Sequence, residues 1–127
     1  NEFNDNQFKN SLKKYLGKDF FEKYEFISNS SEYGGVMILY NKNVFTRIGE
    51  PVKKHLNNHR SRPLLAIKLQ KGDKVIDVLN CHFPHCNNIA EFNNTFQNNF
   101  SRLGLGNKII LHAYDTCLYS ASIQILK

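Results

Sequence analysis

Leu64-Leu65-Ala66-Ile67-Lys68-Leu69, then Lys71-Gly72-Asp73, then Val75-Ile76-Asp77-Val78-Leu79: two short aliphatic runs flank a turn that carries a glycine. Runs of this length, rich in branched residues and separated by so few positions, read as a β-hairpin. Lys71-Gly72-Asp73 is the tight turn between them. The second run continues into Asn80-Cys81-His82-Phe83-Pro84-His85-Cys86, where Pro84 removes a backbone donor and ends the strand.

Working outward from this hairpin, Val36-Met37-Ile38-Leu39-Tyr40 is another apolar run, closed by Asn41-Lys42-Asn43, and reads as a buried strand followed by a turn. Residues 44–48 offer it a hairpin partner. Residues 53–62 are basic, lack apolar periodicity and read as a loop. Phe8, Leu12, Tyr15 and Leu16 recur at helical spacing, with Asp5 or Asn6 placed to cap and Gly17 to stop. Ile89, Phe92, Phe96, Phe100 and Leu103 define a second amphipathic helix ended by Gly104 and Gly106. Ile109-Ile110-Leu111 is a further buried strand, and residues 120–126 fit helix and strand equally. The order helix, two strands, loop, two strands, helix, strand describes an α/β or α+β layered domain.

The chain of 127 residues has room for one domain, 1–127, and its ten phenylalanines supply a core without metals or disulfides. Seventeen basic against eleven acidic residues give a net charge of +6, which favours an anionic partner such as nucleic acid or an acidic membrane face. No apolar run approaches the ~18 residues of a membrane span. Cys81, Cys86 and Cys117 are odd in number and irregular in spacing, which favours free thiols in an intracellular, reducing compartment over a disulfide framework. Asn29 and Asn93 begin Asn-x-Ser/Thr sequons, a pattern that arises by chance in so asparagine-rich a chain. The first residue is asparagine, as expected of a chain processed or taken from something longer.

The segment with most chemical content is 80–86, at the exit of a strand, where sheets collect ligand-binding and catalytic groups. A histidine there can change charge near neutral pH, donate to a phosphate oxygen or protonate a leaving group; the plainer role is a ring satisfied by a backbone carbonyl. Cys81, His82, His85 and Cys86 also invite a zinc reading. Adjacent Cys81 and His82 would point to opposite faces of a strand, however, and nothing downstream repeats the Cys81–Cys86 pair.

Taken together, Tyr33-Gly34-Gly35 leading into the apolar run 36–40, Arg62-Pro63 leading into 64–69, and a strand ending in Asn80-Cys81-His82 resemble the endonuclease/exonuclease/phosphatase (DNase I-like) superfamily. The helix 89–103 and strand 108–111 follow in the family's order. The resemblance implies a layered sandwich of mostly antiparallel strands with flanking helices, and a Mg²⁺-dependent phosphodiesterase. Carried over by position, His82 would be catalytic, Glu2 the metal ligand, and Arg62 a phosphate contact.

Departures from the family pattern are equally plain. Where the family has Gly-Asp-Phe-Asn, this chain has His112-Ala113-Tyr114-Asp115-Thr116; Asp115 stands in for the aspartate only with a one-residue shift, which reverses its face unless a bulge corrects it. The family's first strand would lie before Asn1 and its closing Asp-His pair after Lys127, since a full domain of this kind needs about twice this length. Such catalytic groups act as a unit, so an incomplete set points to an inactive remnant. The expectation is a catalytically degenerate interaction module, with a protein partner or a second copy covering an exposed sheet face, and nucleic acid touched through Lys53, Lys54, His55, His59, Arg60 and Arg62. The alternative is a fragment of an active Mg²⁺-dependent nuclease.

Overall fold

A computed structural model describes residues 5–31, 34–84, 86–106, 109–114 and 120–127. Two helices, α1 (Asp5–Leu16) and α2 (Lys18–Lys23), precede strands β1 (Tyr24–Ser31), β2 (Gly34–Asn41) and β3 (Thr46–His55). A short 3₁₀ turn, Leu56–Asn58, leads to β4 (Pro63–Lys71) and β5 (Lys74–His82); helix α3 (Ile89–Phe100) and strands β6 (Ile109–Tyr114) and β7 (Ser120–Leu126) complete the described elements. They form two sheets, β1-β2-β7 and β3-β4-β5-β6. Pairing is antiparallel for β1–β2, β3–β4 and β4–β5, and parallel for β2–β7 and β5–β6. This is the α+β class that the order of elements implies.

The hairpin that decided the reading is present. Leu64 pairs with Cys81 and Lys71 with Lys74, leaving Gly72-Asp73 as a two-residue loop with Gly72 at φ 63. Alternation along these strands then separates two cores. Leu65, Ile67, Leu69 and Val78 meet Ile27, Val36, Ile38 and Tyr40 of the first sheet, joining the sheets face to face. Leu64, Ala66, Leu79 and Cys81 point the other way, where Phe100 and Phe96 of α3 cover them with Leu56 and Phe83. Among the described residues, α3 covers this face of the second sheet. Exposed aliphatic surface lies along β6, where Ile109, Ile110 and Leu111 are all more than a third exposed and β5 is the one hydrogen-bonded strand neighbour among the described residues.

Two further expectations need correction. Residues 44–48 do not pair with β2, whose neighbours are β1 and β7; from Thr46 the chain enters the other sheet. Nor are residues 53–62 simply a loop, because β3 runs through to His55. Its register against β4 shifts between Ile48 and Val52. Gly49, at φ 70, and Pro51, which has no N–H, lie in the shifted segment, and the resulting bulge breaks the alternation by which a strand is recognised. Residues 120–126 resolve as strand β7.

Buried polar groups stitch the sheets together. The Asn29 amide donates to the carbonyls of Lys54 (3.0 Å) and Leu64 (2.8 Å), tying β1 to β3 and β4. Asn29 is therefore a buried structural residue, an environment closed to a glycan despite its sequon. The Asn80 amide, fully buried, donates to the Met37 carbonyl at 3.0 Å. At the opposite end of β2 the Tyr40 hydroxyl donates to Glu25, which also faces Arg47 at 3.6 Å. Burial, and then the Glu25 carboxylate, push the Tyr40 hydroxyl up to about 12, so it remains a donor throughout the physiological range.

Candidate functional site

Two regions present themselves: the end of β5 singled out by sequence, and a basic groove beside α3. His82 is the last residue of β5, half-buried, and by alternation shares the face of Val78 and Asn80 that looks towards the first sheet. Parallel pairing with β6 sets Asn80 beside His112, Cys81 beside Ala113 and His82 beside Tyr114. Arg62 stands before β4, and its guanidinium donates to the Phe83 carbonyl at 2.9 Å, closing the 56–62 connection onto the segment that follows β5. Glu2, Asp115 and His85 lie outside the described residues. Of the sequence-derived set, His82 and Arg62 are thus brought to the same end of the second sheet.

Metal chemistry at this end is testable against the residues themselves. Magnesium takes hard oxygen ligands, above all carboxylates. Among the described residues no group of three His, Cys, Asp or Glu side chains is placed to hold an ion. Two described carboxylates have structural partners: Asp77, further back on β5, accepts from Gly106 N–H and faces Lys68, and Glu91 accepts from Asn87 N–H at the start of α3. Glu2 and Asp115, the carboxylates assigned to the metal and to catalysis, lie outside the described residues, and the described residues alone do not make up a magnesium site.

Cys81 does not join His82 in a zinc pair either. It is fully buried under α3, and burial alone pushes its thiol up to about 12. Cys86, half-buried, donates from its thiol to the Pro84 carbonyl at 3.4 Å. At pH 8 a thiol titrating near 12 is ionised to about one part in ten thousand, so Cys81 should react with a disulfide reagent about a thousandfold more slowly than a free cysteine. Mass mapping of the labelled native protein checks this; labelling of Cys81 on the timescale of Cys86 would contradict its burial.

The groove is built from the turn after β3 and the C-terminal half of α3. Lys54, His55, Asn57, Asn58, Arg60, Asn98, Asn99 and Arg102 line an open pocket of about 730 Å³. Among these described residues none is acidic, and the one aromatic ring is the His55 imidazole. Asn57 and Asn58 adopt left-handed backbone (φ 53 and 57), which asparagine tolerates better than other residues with a side chain. Asn99 fixes the turn: its carbonyl oxygen accepts the Asn57 N–H at 2.8 Å, and its amide donates to Asn57 Oδ1 at 2.9 Å and to the Thr95 carbonyl at 2.7 Å. Helix α3 is itself capped, with the Asn88 side chain accepting from Glu91 N–H at 2.9 Å.

The basic residues 53–62 are therefore divided among several places. Lys54, His55 and Arg60 line the groove; Lys53 lines a separate polar depression with Lys9, Glu25, Arg47 and Glu50; Arg62 braces the end of β5. Arg102 and the asparagines of α3 carry no local signal that joins them to residues 54–60, because their proximity is created by α3 packing back over the sheet.

No helix among the described residues is long and apolar enough to cross a membrane. The chain matches no family model, no curated protein and no solved structure.

Proposed function

We propose that the chain is a catalytically degenerate domain of the endonuclease/exonuclease/phosphatase kind, working as a binding module for nucleic-acid phosphates and not as a hydrolase. The observation that carries this reading is the β5–β6 register, which leaves Ala113 and Tyr114 beside Cys81 and His82. In an active phosphodiesterase of this kind that position belongs to groups that orient the nucleophile and grip the phosphate. Neither an alanine nor a tyrosine supplies a carboxylate there. Arg62, the expected phosphate contact, donates to a backbone carbonyl instead. Since such groups act as a unit, the loss of one removes most of the rate.

Binding survives where catalysis does not, because it needs cations and not a complete set. The net charge of +6 and the acid-free lining of the groove supply them. The test is incubation of the whole chain with RNA and DNA oligonucleotides in Mg²⁺, following cleavage on gels and binding by fluorescence anisotropy. We expect binding without cleavage. Raising salt from 50 to 200 mM should weaken binding by about fortyfold for three phosphate contacts. Cleavage that His82→Ala abolishes would overturn the inactive reading, and absence of binding at low salt would overturn the binding one.

A further inference from the structure

We infer that the nucleic acid sits in the groove between the 56–60 turn and α3, away from the His82 end, and that it is a double-stranded backbone gripped through its phosphates. The inference rests on the proposed binding function and adds the place and the kind of ligand. Three features of the groove carry it.

Its cations come from separate elements: Lys54 from β3, Arg60 from the connection to β4, and Arg102 from the end of α3. Converging on one concavity with no carboxylate among them, they present a positive field to a chain of phosphates and nothing to a cationic or apolar ligand. The lining also contains no phenylalanine or tyrosine ring, although the chain has ten phenylalanines and six tyrosines; its one aromatic ring is the His55 imidazole. Single strands are held largely by stacking successive unstacked bases on a series of aromatic side chains, and this groove offers one imidazole and no such series. A duplex keeps its bases stacked on one another and presents phosphates and sugars, which cations and side-chain amides can contact. Finally, the reciprocal Asn57–Asn99 amide bonds hold the turn in place before any ligand arrives, reducing the ordering cost of binding.

The test measures the affinity of the whole chain for duplex RNA, duplex DNA and single strands of equal length. Wild type is compared with Lys54→Ser/Arg102→Ser, Lys54→Arg/Arg102→Lys and His82→Ala. Each lost phosphate contact should weaken binding about tenfold, so the double serine variant should lose about a hundredfold and its salt slope should fall by about two. The charge-conserving pair should keep most of the affinity, and His82→Ala all of it, with urea unfolding confirming that every variant is folded. Equal affinity for the two duplexes assigns recognition to phosphates alone, whereas tighter RNA binding adds the sugar hydroxyl; both outcomes support the inference. Tighter binding of single strands overturns the duplex assignment. Wild-type binding that the groove variants leave intact, or that His82→Ala alone removes, overturns the location while leaving the binding function standing. No binding by wild type at all overturns the function itself.

Discussion

Replacing Phe100 with alanine should cost about 3–5 kcal/mol of folding stability, the range for deleting a buried aromatic ring. Phe100 is 3% exposed and is the described α3 residue buried deepest. Its ring lies 4.5 Å from Phe96 and 6.3 Å, edge-on, from Phe83, between the helix and the second sheet. Removing it leaves a cavity that Leu79, Cys81 and Leu64 cannot fill, since they are held by strand pairing. Against a total stability of about 5–15 kcal/mol the loss is large, and the urea midpoint should fall by about 2 M. Ile89 is on the same helix but 79% exposed, so Ile89→Ala should stay within about 0.5 kcal/mol of wild type. Equal costs for the two variants would show that α3 is not anchored as described. Because α3 also supplies Asn98 and Asn99 to the groove, loosening it should weaken nucleic-acid binding even where the chain remains folded.

The contrast between Phe100 and Ile89 also explains what was legible in the sequence. Helical spacing marked 89, 92, 96, 100 and 103 as one stripe; the helix exists over Ile89–Phe100, with Phe92, Phe96 and Phe100 in ring contact, while Leu103 lies past its end. The spacing could not rank the stripe's members, because burial depends on where the sheet stops beneath the helix. The β4–β5 hairpin was legible because both strands are buried on two faces over much of their length and so read as apolar runs, each broken once, by Lys68 and by Asp77. Strand β3 was hidden for the opposite reason: it is largely exposed, carries Gly49, Glu50 and Pro51 at its bulge, and ends in charged residues. Strand β1 was hidden too, because Ser28 and Asn29 occupy buried positions where an aliphatic pattern was sought.

The candidate site divides along the same line. His82 at the end of β5 follows from the run 75–79 and from Pro84, both local signals. The groove does not, because Arg102 and Lys54 are 48 positions apart in sequence and meet only through the packing of α3. The basic stretch 53–62 signalled positive charge, but strand geometry sends Lys53 to another surface and the turn holds Arg62 against Phe83. Charge is legible in composition; its convergence is a property of tertiary structure.

Lys68→Met should destabilise the fold more than Asp77→Ala, by about 3 against about 1–2 kcal/mol, although both variants break the same ion pair. Lys68 Nζ lies 2.8 Å from Asp77 Oδ1, but the partners differ in burial: the lysine side chain is 37% exposed and the aspartate 7%. Without Asp77, the ammonium swings into water at little cost, and the main loss is the Gly106 N–H, which donates to the other carboxylate oxygen at 2.6 Å. Without Lys68, a buried carboxylate remains on the α3 side of the sheet with one described donor, and desolvation of its charge is no longer offset. The double variant Lys68→Met/Asp77→Leu should therefore be more stable than Lys68→Met alone, since it removes the stranded charge along with its partner. Urea unfolding of the three variants at neutral pH reads the order directly. If Lys68→Met proves the mildest, Asp77 is better solvated than its burial indicates. The same bond ties residues 101–106 to the sheet, with Gly106 so close that an added Cβ would stand 3.2 Å from Asp77 Oδ2. Arg102 lies at the start of that segment, so each variant that frees Gly106 should also speed amide exchange there and weaken the groove's hold on nucleic acid.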